Sequence, residues 1–353
     1  IRRPPRSTQG VSSAASDVYK RQEEIMGLLI EGHWHNQWYD TKHSNGEFIR
    51  EDSQFRNWIT PDGSAGLSGE GGFPAKAGRY HLYVSLACPW AHRTLIFRSL
   101  KSLEDIITVS IVHPNMLDKG WVFDDWKGET GDSLYGYNCL HQLYTHARSD
   151  YSGRATVPLL WDRKRETIVS NESSEIIRML NWAFDDFTPE KTNYYPDELQ
   201  DEIDSINARI YQTLNNGVYR CGFATTQKAY KKAFKELFTC LDDLESRLCK
   251  QRYLLGNRIT EADWRLFPTL IRFDAVYYSH FKTNLRRIRD YPELYGYTRD
   301  LYQQPGVAKT VNIEHFKQHY YYSHETINPS RIVPEGPELD LETTHQREER
   351  FGK

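Results

Sequence analysis

The sequence predicts two domains, an α/β half followed by an all-α half. Three observations predict it. A strand–helix–strand pattern occupies 80–112, two more short apolar runs lie at 155–162 and 167–170, and helical periodicity takes over from 197 onward. At 353 residues the chain can hold two substantial cores, and 39% hydrophobic content is ordinary for a globular protein.

The first strand begins at Tyr80, with Tyr80, Leu82, Val84 and Leu86 on one face by period two. Cys88 follows, Pro89 suits the first turn of a helix, and Leu95, Ile96, Leu100 and Leu103 recur at helical spacing. A thiol therefore sits where a strand hands over to a helix. Free N–H groups and the positive end of the helix dipole favour a thiolate there, which predicts a Cys88 pKa in the range of about 3.5–7.5 instead of about 8.5. His92 and Arg93 are placed either to add positive field or to face solvent. An arbitrary cysteine is more often a small packed hydrophobe; strand, Cys-Pro and helix together reverse that preference. Three residues on stands Ala91, so this is a one-thiol site. A disulfide formed by Cys88 must be resolved by a thiol from elsewhere, and glutathione is the abundant small cytosolic one.

The run 106–112 reads as a buried strand completing a βαβ unit, and 113–153 as a long connection bearing Trp121, Trp126, Tyr135, Tyr137 and Tyr144. Two strands, 155–162 and 167–170, follow around a charged turn, with Pro158 near the start of the first. Asn171-Glu172-Ser173-Ser174 opens a helix to about Trp182. N–H groups at its start suit a carboxylate and Glu172 suits an ammonium, the two charges of a γ-glutamyl group; a plain N-cap explains Ser173 as economically. The α/β domain is thus assigned to 79–185. Past a linker at 185–196, helices are predicted at 197–216, 225–249, 260–281 and 291–303, forming an all-α domain over 197–328. Thr260-Glu261-Ala262-Asp263 reads as a capping box.

Outside the domains the sequence is less regular. Residues 1–25, rich in Arg, Ser and Pro, are expected to be a non-native or disordered tail, with Met26 as the native start. Residues 26–78 form an irregular extension, either draped over another surface or a mobile lid. His33 and His35 read as surface histidines. The segment 329–353 is charged and expected to fray.

Five cysteines without metal spacing argue against a disulfide framework or a zinc site and favour a reducing, cytoplasmic compartment, with organellar targeting left open by the uncertain start. Net charge −3 gives no sign of nucleic acid or anionic lipid as partner, and no apolar run reaches the roughly 18 residues of a membrane span.

A thioredoxin-like half followed by a helical half resembles the glutathione transferase superfamily, and several motifs resemble its omega-like branch of glutathionyl-hydroquinone reductases, the Xi class. They are Cys88-Pro89-Trp90-Ala91, Gly27-Leu28-Leu29 with Trp38-Tyr39-Asp40, Arg154-Ala155-Thr156-Val157-Pro158, Asn171-Glu172-Ser173-Ser174, Asn216-Gly217-Val218-Tyr219, and His319-Tyr320-Tyr321 with Ile327-Asn328-Pro329. The resemblance covers essentially 26–330. It implies Cys88 as nucleophile and Tyr219 as proton donor. Trp121, Arg154, Ala155, Thr156, Val157, Glu172 and Ser173 would hold glutathione, and Tyr277 and Tyr320 would lower the thiol pKa, with Tyr321 as the alternative to Tyr320. Pro158 would be cis, and the protein a homodimer. The implied reaction reduces glutathionyl-hydroquinones through a Cys88–glutathione mixed disulfide, with no metal. A broader omega-like thiol transferase acting on proteins or dehydroascorbate is the rival enzyme, and a non-catalytic, membrane-associating relative of the chloride-intracellular-channel type is the rival of another class.

Overall fold

In the computed structural model, residues 27–37, 39 and 41–352 are described; the expectations for 1–25, for a start at Met26 and for Trp38 and Asp40 lie outside the described residues. A hairpin of β1 (Leu28–Ile30) and β2 (His33–His35) comes first. The α/β domain is built on β3 (Tyr80–Val84), β4 (Thr108–Ile111), β5 (Leu159–Asp162) and β6 (Thr167–Ser170), laid side by side as β4-β3-β5-β6. The β3/β4 pair is parallel, as the βαβ reading requires, and β3/β5 and β5/β6 are antiparallel.

All five residues of β3 are buried, not only the period-two set, because both faces of the sheet are covered. Helices α1 (Pro89–Leu100) and, after the connection, α3 (Ser173–Trp182) pack together in this domain. The 113–153 connection supplies the second cover: the Tyr83 hydroxyl donates to Asp132 at 2.8 Å and the Trp161 indole to Tyr135 at 3.0 Å. That connection contains a helix the sequence reading lacks, α2 (His141–Ala147). Residues 155–158 do not join the ladder, which takes up this run only from Leu159, and the Val157–Pro158 bond is cis.

The second domain is helical, with α4 (Gln200–Ile210), α5 (Gly217–Gly222), α6 (Gln227–Leu248), α7 (Glu261–Arg272), α8 (Tyr278–His280), α9 (Pro292–Tyr302) and α10 (Ile313–Ser323). The helix expected to stop at Asn216 instead continues to Gly222. It does so through a π-helical stretch, Tyr211–Asn215, and a second such stretch, Phe273–Tyr277, interrupts the helix read as 260–281. A π stretch carries an extra residue per turn and re-aims the side chains beyond it. Tyr219 lies just past the first and Tyr277 ends the second. Gly222 allows the two helices to meet, since a Cβ there would come within 2.1 Å of the Phe281 ring. At the start of α7 the Asp263 carboxylate accepts from the Thr260 N–H at 2.8 Å, the acidic half of the expected capping box.

Of the two readings of the extension, the structure has the draped one. Leu29 and Gly153 exchange N–H to O bonds of 2.8 Å, and Asn57 donates to the Val169 carbonyl at 2.9 Å, so the extension closes the β6 edge. Phe48, Phe55 and Trp58 are buried by this, while His33 and His35 are exposed. The C-terminal segment is not frayed. It lies along α9 and ends in α11 (Arg347–Phe351), where the Arg347 guanidinium donates to the carbonyls of Leu248, Gln251 and Arg252 at 3.1, 2.8 and 2.7 Å. Burying those otherwise orphaned carbonyls against a cation gives a charged segment a reason to dock. No helix among the described residues is long and apolar enough to cross a membrane.

Candidate active site

Cys88 caps α1 from a β conformation (φ −73°, ψ 122°), with Pro89 entering the first turn. Its side chain is only 9% exposed. The sulfur lies 3.5 Å from the Val157 carbonyl oxygen and receives the N–H groups of Ala91 and Trp90. Burial pushes the thiol upward, and those N–H groups, with the charges of Arg272 and Arg50, pull it down. The net direction is up. This reverses the lowered pKa expected from the helix start, because the favourable dipoles act on a sulfur that has lost nearly all its water.

The positive charge near the sulfur is also not the one expected. His92 is buried and held neutral, its pKa far below the usual value through desolvation and the adjacent Arg272. Its ring nitrogens meet Thr310 at 2.8 Å and Arg272 at 3.0 Å. Arg93 points the other way, donating to the Ser173 hydroxyl at 3.4 Å and to Asn215 at 3.1 Å. Arg272, reaching across from α7, takes the role instead: its guanidinium donates to the carbonyls of Ala87 at 2.8 Å and Leu86 at 3.0 Å, just before Cys88. Sequence reading passes over it because the last turn of a helix from another domain carries no local signal.

Two hollows that share Thr156, Val157, Trp90 and Arg50 lie near the sulfur. One is lined by Cys88, Trp90, Trp121, Tyr219, Tyr320 and His319 among others and is largely aromatic. The Trp121 and His319 rings stack there at 4.8 Å. The other is a polar groove reaching Arg154, Glu172, Ser173 and Ser174. Thr156 and Val157 border both. Ala155 borders neither.

At the far end of the groove, the Glu172 carboxylate caps α3, accepting from the Ser174 N–H at 2.9 Å and hydroxyl at 2.8 Å, and from the Ser53 hydroxyl at 3.3 Å. Burial opposes its charge, but the Ser174 donors and the nearby Arg93 and Arg56 outweigh that and hold the carboxyl below its usual range. Glu172 is thus an anion facing the groove. Arg154 lines the groove while donating to the Gln37 carbonyl at 3.2 Å, and lies over the Tyr39 ring at 3.7 Å. It ties the extension to the site. The Val157 N–H bonds to no protein group among the described residues.

In the aromatic hollow three tyrosines meet. The Tyr219 hydroxyl is 2.6 Å from that of Tyr320, which is 3.1 Å from that of Tyr277. Tyr321 turns elsewhere, its hydroxyl on Ser279 and the Ala275 carbonyl. The hydroxyls of Tyr277 and Tyr320 bond to one another and to Tyr219, not to the sulfur, so the expected direct hydrogen bonds to a thiolate are absent among the described residues. Desolvation raises the Tyr219 pKa far above its ordinary value, so that hydroxyl keeps its proton. Arg50 from the extension lies against this cluster, and no periodicity in 27–78 points to it. Among the described residues no three side chains cluster in a way that would hold a metal ion.

A thioredoxin-like domain bearing a lone thiol at its first helix, followed by a helical domain that walls the same cleft, is the glutathione transferase architecture. Residues 87–182 match the glutathione S-transferase N-terminal domain and residues 227–300 the C-terminal domain. The chain is 58% identical over 328 residues to the glutathionyl-hydroquinone reductase YqjG of Escherichia coli K12, covering 93% of this chain and all of that one. It is 53% identical to the glutathionyl-hydroquinone reductase PcpF of Sphingobium chlorophenolicum, over 90% of this chain and 98% of that one. The glutathione-bound structure of YqjG superposes with a TM-score of 0.86 at 55% identity, covering 92% of this chain and 100% of that chain. The chain belongs to the glutathione S-transferase family, in its branch of glutathionyl-hydroquinone reductases.

Proposed function

We infer that the protein is an enzyme that reduces glutathionyl-hydroquinones with glutathione. The observation that carries this reading is the pairing, beside one sulfur, of a polar groove ending in an anionic Glu172 and an aromatic hollow ending in a protonated Tyr219. A peptide with an ammonium and carboxylates suits the first, and a flat phenolic ring suits the second. A conjugate of the two would lay its thioether at Cys88.

The glutathionyl part is held by Glu172 on the γ-glutamyl ammonium and by the Ser173 N–H and hydroxyl at the start of α3 on its carboxylate. The free Val157 N–H and its carbonyl pair with the cysteinyl backbone as an added strand would. Trp121, Arg154 and Thr156 close the sides. Ala155 makes no side-chain wall and acts only through the backbone path to Val157. The Cys88 thiolate attacks the conjugate's sulfur, forming a disulfide and breaking the aryl carbon–sulfur bond. The aryl carbon keeps that electron pair and takes the Tyr219 proton, releasing hydroquinone. A second glutathione then resolves the mixed disulfide to glutathione disulfide and returns Cys88. Tyr320 and Tyr277 act through Tyr219, steadying the phenolate it leaves, in place of the direct role on the thiol that the resemblance implied. A cytoplasmic homodimer is the setting proposed for this chemistry, since the five cysteines are free and the reaction consumes glutathione.

The test is release of free hydroquinone from a purified mixture of protein, glutathione and a glutathionyl-hydroquinone. Release is expected, and is abolished by alkylation of Cys88 or by Cys88→Ala. Tyr219→Phe is expected to slow it by roughly 10²–10⁴, the range for general acid catalysis. Turnover of small disulfides with none of the conjugate would transfer the assignment to a broader thiol transferase.

A further inference from the structure

Arg50 belongs to the extension, outside both domains, yet its guanidinium lies inside the site. Its central carbon is 5.1 Å from the centre of the Tyr219 ring, 5.2 Å from that of Trp90 and 5.4 Å from that of Phe48. It borders both the groove and the aromatic hollow. The segment turns this arginine inward while its neighbour Ile49 stands 64% exposed, the inverse of the ordinary preference. That orientation is fixed from nearby: the Phe55 N–H donates to the Asn171 side chain at 3.2 Å, the Asn171 N–H returns a bond of 3.2 Å to the Phe55 carbonyl, and Ser53 reaches Glu172.

The Arg50 charge is held by aromatic neighbours more than by polar ones. Its one hydrogen bond is a 3.4 Å contact from Nε to the Asn216 side-chain oxygen, and no carboxylate among the described residues forms an ion pair with it. Aromatic faces offset part of the cost of holding a cation there, the residue keeps part of its surface in solvent, and the nearby tyrosines and Cys88 outweigh desolvation, so the charged form is favoured. Glu51, Asp52 and Glu172 line the same groove, and the groups whose charge acts most strongly on Arg50 are Tyr39, Tyr219, Tyr211 and Cys88. Two of these, Cys88 and Tyr219, are the groups between which negative charge travels in the reaction inferred above.

We propose that Arg50 is a further catalytic residue of the reductive step, whose positive charge stabilises the negative charge as it moves from the Cys88 sulfur to the Tyr219 oxygen. This rests on the function inferred above. In that step the Cys88 thiolate forms a sulfur–sulfur bond, the aryl carbon–sulfur bond breaks, and the Tyr219 proton passes to the aryl carbon. One negative charge enters on sulfur and leaves on the Tyr219 phenolate, which regains a proton when the second glutathione is deprotonated. Arg50 touches the Tyr219 ring throughout and gives up no proton. It also gives the extension a part in the site: among the described residues Arg50 is the cation stacked on the proton donor.

The experiment is single-turnover kinetics of Arg50→Met and Arg50→Lys. One substrate is a glutathionyl-hydroquinone. The other is a glutathione mixed disulfide of an aromatic thiol, whose thiolate leaves without needing the Tyr219 proton. Arg50→Met is expected to slow hydroquinone release by roughly 10²-fold, the scale of one lost electrostatic contact to developing charge. Arg50→Lys is expected to recover most of that rate. The mixed disulfide is expected to be cleaved with a much smaller loss, and ultraviolet titration of tyrosinate is expected to move to higher pH in Arg50→Met. Equal losses in Met and Lys variants on both substrates, with an unmoved titration, would reduce Arg50 to a pin for the extension and overturn the proposal. Losses rescued by Lys but equal on the two substrates would confine its charge to Cys88 and overturn it as well. If the unsubstituted protein releases no hydroquinone, the functional reading fails, and that outcome is distinct from an active protein indifferent to Arg50.

Discussion

Replacing Tyr320 by Phe removes one hydroxyl from the centre of the tyrosine cluster and little else. That hydroxyl lies 2.6 Å from Tyr219 and 3.1 Å from Tyr277, and its residue is 1% exposed. When Tyr219 gives up its proton, the bond from Tyr320 becomes a bond to an anion. Such bonds contribute about 1.5–3 kcal/mol. At about 1.4 kcal/mol per factor of ten, hydroquinone release should slow by roughly 10- to 150-fold. The loss should fall on kcat, since the hydroxyl contacts the donor and not the glutathionyl groove. The assay is stopped-flow release of hydroquinone from a glutathionyl-hydroquinone in single turnover, with Tyr321→Phe as the control, because the Tyr321 hydroxyl is spent on Ser279 and Ala275. Two buried hydroxyls also lose a partner, a stability cost of about 1–3 kcal/mol, so rates are read well below the melting range. A Tyr320→Phe enzyme as fast as the unsubstituted protein would refute the reasoning, as would equal slowing by Tyr321→Phe.

Further outcomes derive from the same geometry. Because burial raises the Cys88 thiol above its ordinary value, the reactive thiolate fraction grows with pH, and kcat/KM should climb through and beyond neutrality; a plateau already reached in mildly acidic buffer would mean that Arg272 and the α1 N–H groups outweigh burial. Arg272→Met removes one of the charges pulling that thiol down and should displace the climb to still higher pH, measured as the rate of Cys88 alkylation across pH. Arg347→Ala leaves the carbonyls of Leu248, Gln251 and Arg252 without their donor, which should cost about 1.5–3 kcal/mol per charged bond lost and expose 329–353 to limited proteolysis while the site itself stays intact.

The features legible in the sequence are those that local chemistry determines. The β3–Cys88–α1 passage, the antiparallel β5/β6 pair and the long α6 can be read because a period-two pattern gives way to a helical one at Cys88-Pro89, a charged turn at 162–166 separates two apolar runs, and helical periodicity is sustained through 225–249. The helix leading to Tyr219 is expected to end at Asn216, whereas a π stretch, Tyr211–Asn215, leads into a further helical segment, Gly217–Gly222, which no local period announces. The direction of the Cys88 pKa is opposite to expectation for a different reason: dipoles are local and visible in sequence, but desolvation depends on everything folded around the sulfur. Arg50 and Arg272 escape a sequence reading because each reaches the site from a distant segment, one from an irregular extension and one from the end of a helix in the other domain. The docked C-terminal segment is hidden likewise, since its charges find buried carbonyls only after folding.

Transfer of the glutathionyl sulfur to Cys88 is the central step, and mass spectrometry of the protein after one equivalent of a glutathionyl-hydroquinone, with no free glutathione present, tests it most directly. The expected result is one glutathionyl group in disulfide linkage on the Cys88 peptide, matched by one equivalent of free hydroquinone and removed by adding glutathione. Hydroquinone released while Cys88 remains unmodified, or released undiminished by Cys88→Ala, would contradict it.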